Sequence, residues 1–231
     1  MHDVRFPGEN QAYRMARNEL LKAELDLRRK VEEVAALRRT LPLGGDVPQD
    51  YVFEEGGADP ADMETVREVR MSELFDGKET LLLYSWMYGP AMKAACPLCT
   101  SMLDGLEGQV DHVRQRAAIA VVGQSPIRRL RELARERGWK RHRIVSAAKN
   151  AYQRHYHGEN ADGKQLPTMN IFVRRGGAIR HFWASESLFA SPDDGLDSRH
   201  IDQFWPLWQL LDLTPEGRGG TWYPELAYAR R

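Results

Sequence analysis

Cysteine is scarce in this chain, and long apolar runs are absent. Only two of the 231 residues are cysteine, so a framework of disulfides does not hold the fold together. No apolar stretch approaches the roughly 20 residues that a membrane-spanning helix needs. Net charge is also zero, because 33 Lys and Arg residues balance 33 Asp and Glu residues. The charge therefore gives no reason to expect a nucleic acid or a membrane as a partner.

Other absences narrow the class of protein further. No glycine-rich phosphate loop occurs, so we expect no organic cofactor. Residues 1–5 carry charges and lack the apolar segment of a secretory signal, so we expect a cytoplasmic protein whose cysteines are reduced at rest. Apolar residues, in contrast, make up 42% of the chain, which is enough for a substantial core.

The two cysteines stand together as Cys96-Pro97-Leu98-Cys99. An apolar, strand-like run at 81–87 precedes them, and a helix-like run at 97–114 follows. A C-x-x-C at a strand-to-helix turn is typical of thiol–disulfide redox proteins. Pro97 suits the first helical position, which leaves Cys96 near the N-cap, where free amides favour the reactive thiolate. We therefore predict that Cys96 attacks a disulfide and that Cys99 resolves the mixed disulfide.

Hydrophobic periodicity predicts an arm at 1–48, an α/β domain at 49–213 and a tail at 214–231. Residues 9–40 form a helix with one apolar face, which either docks on its own domain or packs against a second subunit. We predict a homodimer, because this helix is long for covering one small domain. The domain's predicted strands lie at 51–53, 79–87, 117–123, 143–146, 169–173 and 178–183, with a further short strand and a turn of helix within 69–77. Its main predicted helices lie at 97–114, 126–138 and 201–211.

This order of elements resembles the thioredoxin superfamily. The features that match are the strand, dithiol and helix order, the segment Leu166-Pro167-Thr168 that opens a strand, and a strand–turn–strand around Gly176-Gly177. The resemblance implies a three-layer α/β sandwich with a mixed sheet. It also implies a cis peptide bond at Pro167 beside the dithiol. Leu166 would then offer a backbone edge to a substrate peptide. Trp86, near the end of the strand that precedes the cysteines, is a further predicted substrate-binding residue.

A second resemblance covers nearly the whole chain, including the N-terminal helix. The chain is similar to a bacterial thioredoxin-like family catalogued as domain of unknown function eight-nine-nine. The matching segments are Tyr88-Gly89-Pro90, Cys96-Pro97-x-Cys99-Thr100 with Asp104 and Gly108, Gly138-Trp139 and residues 211–218. This match supports the fold and leaves the activity to be inferred from the residues.

Three functions fit these patterns. The first is a thiol–disulfide oxidoreductase acting on a disulfide-containing protein or a small thiol. The second is a peroxiredoxin-like peroxide reductase on the same cysteines, although Lys93 stands where peroxiredoxins have a threonine. The third is a non-catalytic dimeric module. A zinc site is the remaining possibility, but we predict no metal, because the spacing of the candidate histidines is unlike that of paired zinc ligands. Those histidines are His142, His155, His157 and His181.

Overall fold

The computed structural model of this chain describes residues 4–191, 204–219 and 221–228. It contains two compact units, Met1–Pro42 and Leu43–Arg231. The division falls before the predicted boundary at residue 48 because the connecting segment already pairs within the second unit. The N–H group of Gly44 donates to the carbonyl of His181 at 2.9 Å, and that of Val47 donates to the carbonyl of Ile179 at 2.9 Å.

The first unit is one long helix, α1, over Gln11–Arg39. Asn10 caps it, because the Asn10 side chain accepts a hydrogen bond from the N–H group of Tyr13 at 2.8 Å. At about 1.5 Å per residue, the helix is roughly 43 Å long. None of its residues is buried, and Leu27 on the apolar stripe is 61% exposed. The predicted N-terminal helix is therefore confirmed.

The second unit alternates strands and helices. The strands are β1 (Val52–Gly56), β2 (Val66–Arg70), β3 (Thr80–Trp86), β4 (Ala118–Gly123), β5 (Ile144–Ser146), β6 (Thr168–Arg175) and β7 (Ala178–Ala184). The helices are α2 (Met71–Leu74), α3 (Pro97–Glu107), α4 (Val110–Arg114), α5 (Ile127–Arg137), α6 (Tyr152–His155) and α7 (Pro206–Leu211). Within the described ranges, no helix combines the length and apolar character that crossing a bilayer demands.

All seven strands form one mixed sheet in the order β2-β1-β5-β4-β3-β6-β7. Strand β3 pairs in parallel with β4, which α3 and α4 connect to it, and antiparallel with β6. Strand β6 then forms a hairpin with β7. The thioredoxin arrangement is the strand order β4-β3-β6-β7 with the dithiol at the start of the helix after β3. This chain has that arrangement, so the predicted fold class is confirmed.

Side chains of β3 alternate between two buried clusters, one on each face of the sheet. Leu81 and Leu83 pack with Phe172 on one face, whereas Tyr84 and Trp86 pack on the other face with the helix that carries the cysteines. Burying each large apolar side chain contributes about 1.5–3 kcal/mol. The sheet is thus covered on both faces, and β3, an interior strand that is buried from Leu83 to Trp86, supports the dithiol.

Two helices differ from their predicted extents. The predicted helix at 97–114 is divided into α3 and α4, because Gly108 ends α3 and glycine is a poor helix former. The predicted helix at 201–211 begins at Pro206, which occupies its first turn. Residues 201–203 of that prediction lie outside the described residues.

Candidate functional site

Cys96 is the N-cap of α3, and Pro97 follows in the first turn, as the sequence predicts. Two hydrogen bonds fix the backbone of Cys96. Its N–H group donates to the carbonyl of Met87 at 3.0 Å, and its carbonyl accepts from the N–H group of Thr100 at 3.0 Å. The indole of Trp205 donates to the carbonyl of Leu98 at 2.9 Å. The helix start is therefore held against the end of β3 and against the segment leading into α7.

The two cysteines occupy different depths of this face. Both thiols are free, Cys96 is half-buried, and Cys99 has an exposed fraction of 0%. Cys99 belongs to the same buried cluster as Trp86 and Met102. A reagent in solution can therefore reach Cys96 and not Cys99.

Hydrogen-bond donors converge on the sulfur of Cys96 and favour its thiolate. The Cys99 thiol has the largest effect, followed by the amides of Cys99 and Leu98 and by the hydroxyl of Tyr223. Together they outweigh partial burial and lower the pKa of Cys96 to about 6. The amides at the start of α3 act in the predicted direction, because they lower the pKa of Cys96.

The surroundings of Cys99 act in the opposite direction. Complete burial raises the pKa of the Cys99 thiol well above its usual value, and the neighbouring Cys96 thiolate raises it further. The nearby hydroxyl of Tyr84, which is also buried, favours the Cys99 thiolate and opposes this rise. Cys99 is therefore a proton-bearing donor toward Cys96 in the reduced state.

Arg129, on α5, holds the loop that precedes Cys96. Its guanidinium donates to the carbonyls of Gly89 and Pro90, both at 3.2 Å, and to that of Met92. It also lies 4.3 Å from the ring centroid of Tyr88. Arg129 therefore fixes the loop before Cys96.

Arg137, at the end of α5, binds the C-terminal segment. Its guanidinium donates to the carbonyl of Leu226 at 2.9 Å and to the hydroxyl of Tyr228, and it pairs with Asp104 of α3. This docking places the hydroxyl of Tyr223 4.0 Å from the sulfur of Cys96. Sequence reasoning missed Tyr223, for which the aromatic and proline residues at 222–224 are the local signal.

The predicted cis peptide bond at Pro167 is wrong, because the described residues contain no cis peptide bond. The trans form is preferred by about 0.5–1 kcal/mol, and only surroundings that favour cis overcome that preference. Here the N–H group of Leu166 donates to the carbonyl of Gly158 at 2.9 Å, and Thr168 enters β6 opposite Ser85. The chain reaches the sheet in this way with a trans bond.

Leu166 and Pro167 directly follow Gln165, which packs on the loop before Cys96. Both are half-buried, and the preceding Gln165 packs so closely on Gly89 that a Cβ atom there would lie 3.0 Å from its side chain. Trp86 is different, because its exposed fraction is 0% and its ring packs 5.2 Å from Tyr88. A side chain without exposed surface does not contact a substrate, so Trp86 supports the core instead.

The histidines that were considered for zinc take separate partners. His181 pairs with Asn170 at 3.0 Å, His142 with the carbonyl of Leu103 at 2.8 Å, and His155 with the hydroxyl of Tyr51 at 2.5 Å. Over residues 4–191, 204–219 and 221–228, no group of three His, Cys, Asp or Glu side chains is placed to hold a metal ion.

The fold and the cysteine pair define a thioredoxin-like protein with two free thiols at the start of the first helix after the central strand. The chain belongs to the family described as bacterial protein of unknown function, DUF899, which it matches over residues 4–229. No curated protein matches it.

Several solved structures of peroxiredoxins resemble the chain distantly. Reduced 2-Cys peroxiredoxin from Plasmodium vivax is 16% identical, with a TM-score of 0.45 over 69% of this chain and 94% of that one. AhpC from Mycobacterium tuberculosis is 15% identical, with a TM-score of 0.45 over 76% and 97%. A peroxiredoxin-like protein from Aquifex aeolicus is 12% identical, with a TM-score of 0.42 over 62% and 75%. At such low similarity, their activities do not transfer to this chain.

Proposed function

We propose that this protein is a thiol–disulfide oxidoreductase in which Cys96 attacks and Cys99 resolves. One observation carries the proposal: a half-buried thiol with a pKa lowered to about 6 lies beside a fully buried thiol whose pKa is raised. The thiolate is the nucleophile in disulfide exchange, so the low pKa keeps Cys96 reactive at neutral pH. Leu166 and Pro167 are the proposed contacts for the substrate backbone. They follow Gln165, which packs on the loop before Cys96.

The reaction requires two exchanges. The Cys96 thiolate attacks one sulfur of a substrate disulfide, forms a mixed disulfide and expels the other sulfur as a thiolate, which takes up a proton from water. Cys99 then loses its proton and attacks the sulfur of Cys96. The Cys96–Cys99 disulfide forms, and the second substrate thiolate leaves. The substrate is reduced by two electrons, and an external dithiol must reduce the protein before the next cycle.

The test is the stoichiometry of one turnover. The reduced protein is mixed with an equimolar amount of bis(2-hydroxyethyl) disulfide or insulin, and products are counted by mass spectrometry and thiol titration. We expect one Cys96–Cys99 disulfide for each substrate disulfide lost, with two substrate thiols released. Two outcomes would contradict the proposal. One is that both protein thiols remain after prolonged incubation with the substrate, and the other is that they react no faster than free cysteine does.

Peroxide reduction is a second candidate on the same residues. The low pKa of Cys96 favours it too, because a thiolate is also the form that peroxide oxidises to sulfenic acid. Cys99 would then condense with the sulfenic acid, releasing water and giving the same disulfide. Parallel rates with hydrogen peroxide and with the disulfide separate the two candidates. We expect the disulfide to react faster, and a faster reaction with peroxide would favour the second candidate.

We further propose that the protein is a cytoplasmic homodimer that uses α1 as an interface. The argument is the length of α1 and the apolar stripe it leaves unburied, with Leu20 at 53%, Leu27 at 61% and Val31 at 44% exposed. Sedimentation at micromolar concentration should give twice the monomer mass. Replacing Leu27 with Glu should weaken the dimer, whereas a parent protein that sediments as a monomer would contradict this proposal.

A further inference from the structure

We propose that Tyr223 is a third residue of the active site, whose hydroxyl donates a hydrogen bond to the thiolate of Cys96. The docked C-terminal segment, residues 221–228, holds it in place. This inference rests on the proposed function, since it gives Tyr223 a role only if Cys96 is the reacting thiol. The tyrosine lies 127 positions from Cys96 in the chain.

The direction of this hydrogen bond follows from the two groups. A thiolate has no proton to give, so the phenol must be the donor across the 4.0 Å that separates Oη from Sγ. Burial raises the pKa of Tyr223 above its usual value, and the nearby thiolate raises it further. Tyr223 therefore stays protonated at neutral pH and through the pH range in which Cys96 titrates.

The position of Tyr223 is fixed by contacts on both sides of it. The Trp222 ring meets the Trp208 ring of α7 edge to face, with centroids 6.2 Å apart. Pro224 is buried, and the carbonyl of Leu226 accepts the hydrogen bond from Arg137 at 2.9 Å. A tyrosine on an unattached tail would spend little time near the sulfur, so this docking is what makes the contact effective.

The role of Tyr223 is to stabilise the attacking group before exchange. Once Cys96 forms a disulfide, its sulfur carries no charge and the hydrogen bond weakens. Tyr223 therefore favours the reduced, ionised state of Cys96. Because Tyr223 is 46% exposed and the contact is long, we expect an effect of about 0.5–1 pKa unit, smaller than the effect of Cys99.

The decisive variant is Tyr223→Phe in the full chain. The rate of iodoacetamide modification of Cys96 is measured from pH 4.5 to 9, with the modified peptide identified by mass spectrometry and thiolate absorbance at 240 nm as a second readout. We expect the midpoint to rise by about 0.5–1 pH unit, so that the thiolate fraction at pH 6 falls about two- to fivefold. An unchanged midpoint in a variant with parental circular dichroism would overturn the proposal.

Tyr13→Phe is the matched control, because it removes an exposed tyrosine hydroxyl from α1 and leaves the docking contacts of Arg137 and Trp208 intact. Its midpoint should equal that of the parent, and equal shifts in both variants would overturn the specific role of Tyr223. Disulfide reduction is assayed separately on the parent protein. A shifted midpoint in Tyr223→Phe together with no exchange would refute the proposed function and leave the Tyr223 contact supported.

Discussion

The start of α3 and the core beneath it place identical side chains in opposite chemical states. At the rim, Cys96 meets several hydrogen-bond donors and has a lowered pKa. One helical turn deeper, Cys99 is surrounded by apolar side chains and has a raised pKa. The different roles of the two cysteines in this C-x-x-C pair therefore follow from how deeply each is buried. The sulfur at the rim can attack a substrate disulfide, whereas the sulfur below it can attack only the mixed disulfide at Cys96.

Selective alkylation is the largest expected difference between the two regions. In the reduced protein at pH 7, iodoacetamide should modify Cys96 at least about 100-fold faster than Cys99, because Cys96 is mostly ionised and Cys99 is both protonated and inaccessible. Quantitative peptide mass spectrometry measures both rates. In guanidinium chloride the two cysteines should react alike. Comparable rates in the folded protein would contradict the claim that burial makes Cys99 less reactive than Cys96.

The opposite pKa shifts of the two thiols predict how the free energy of unfolding depends on pH. A thiol whose pKa is lowered to about 6 on folding contributes stability above its unfolded pKa, and loses it as pH falls through 6. Between pH 8 and 5.5 the loss should be about 2–3 kcal/mol. Cys99 acts in the opposite direction at higher pH, where its thiol would ionise only after unfolding, so stability should fall above about pH 9.

Chemical denaturation of the parent and of Cys96→Ser at both pH values isolates this contribution from that of the other titratable groups. The parent should lose more stability than the variant on acidification. Equal losses in the two proteins would mean that the surroundings of Cys96 do not favour its thiolate.

The smallest expected effect concerns Tyr84, the polar group that reaches Cys99 within the core. Its hydroxyl favours the Cys99 thiolate, so Tyr84→Phe should slow release of the mixed disulfide about threefold. The initial attack by Cys96 should be unchanged. Rapid-quench kinetics with a disulfide substrate separates the two steps, and Tyr13→Phe in α1 is the matched control. A slower first step with an unchanged second step would be the opposite of this expectation.

Much of the fold was predictable, because its signals are local. The buried strand β3, the proline-started α3 and the hairpin of β6 and β7 each follow from a short pattern. The state of Cys96 was predictable only in part. Its helix-start amides follow from the position of Pro97, whereas the donor Tyr223 lies 127 positions away in a segment without periodicity.

The incorrect predictions have physical causes of the same kind. Trp86 was placed at the substrate because it precedes the dithiol loop in sequence, but strand alternation turns it into the buried cluster behind α3. The geometry before Pro167 depends on how the chain from Gly158 reaches β6, which no local pattern records. No local pattern around Arg129 or Arg137 indicates the segments that these side chains hold, since both partners are distant in sequence.

Trapping of the mixed disulfide tests the central claim most directly. Cys99→Ser and Cys96→Ser are each mixed with a disulfide-containing protein such as insulin, and covalent adducts are counted on non-reducing gels, with the double variant as background. The account predicts a stable adduct through Cys96 in Cys99→Ser and only background in Cys96→Ser, because Cys99 is buried and protonated. Equal trapping in both variants, or trapping through Cys99 alone, would contradict it.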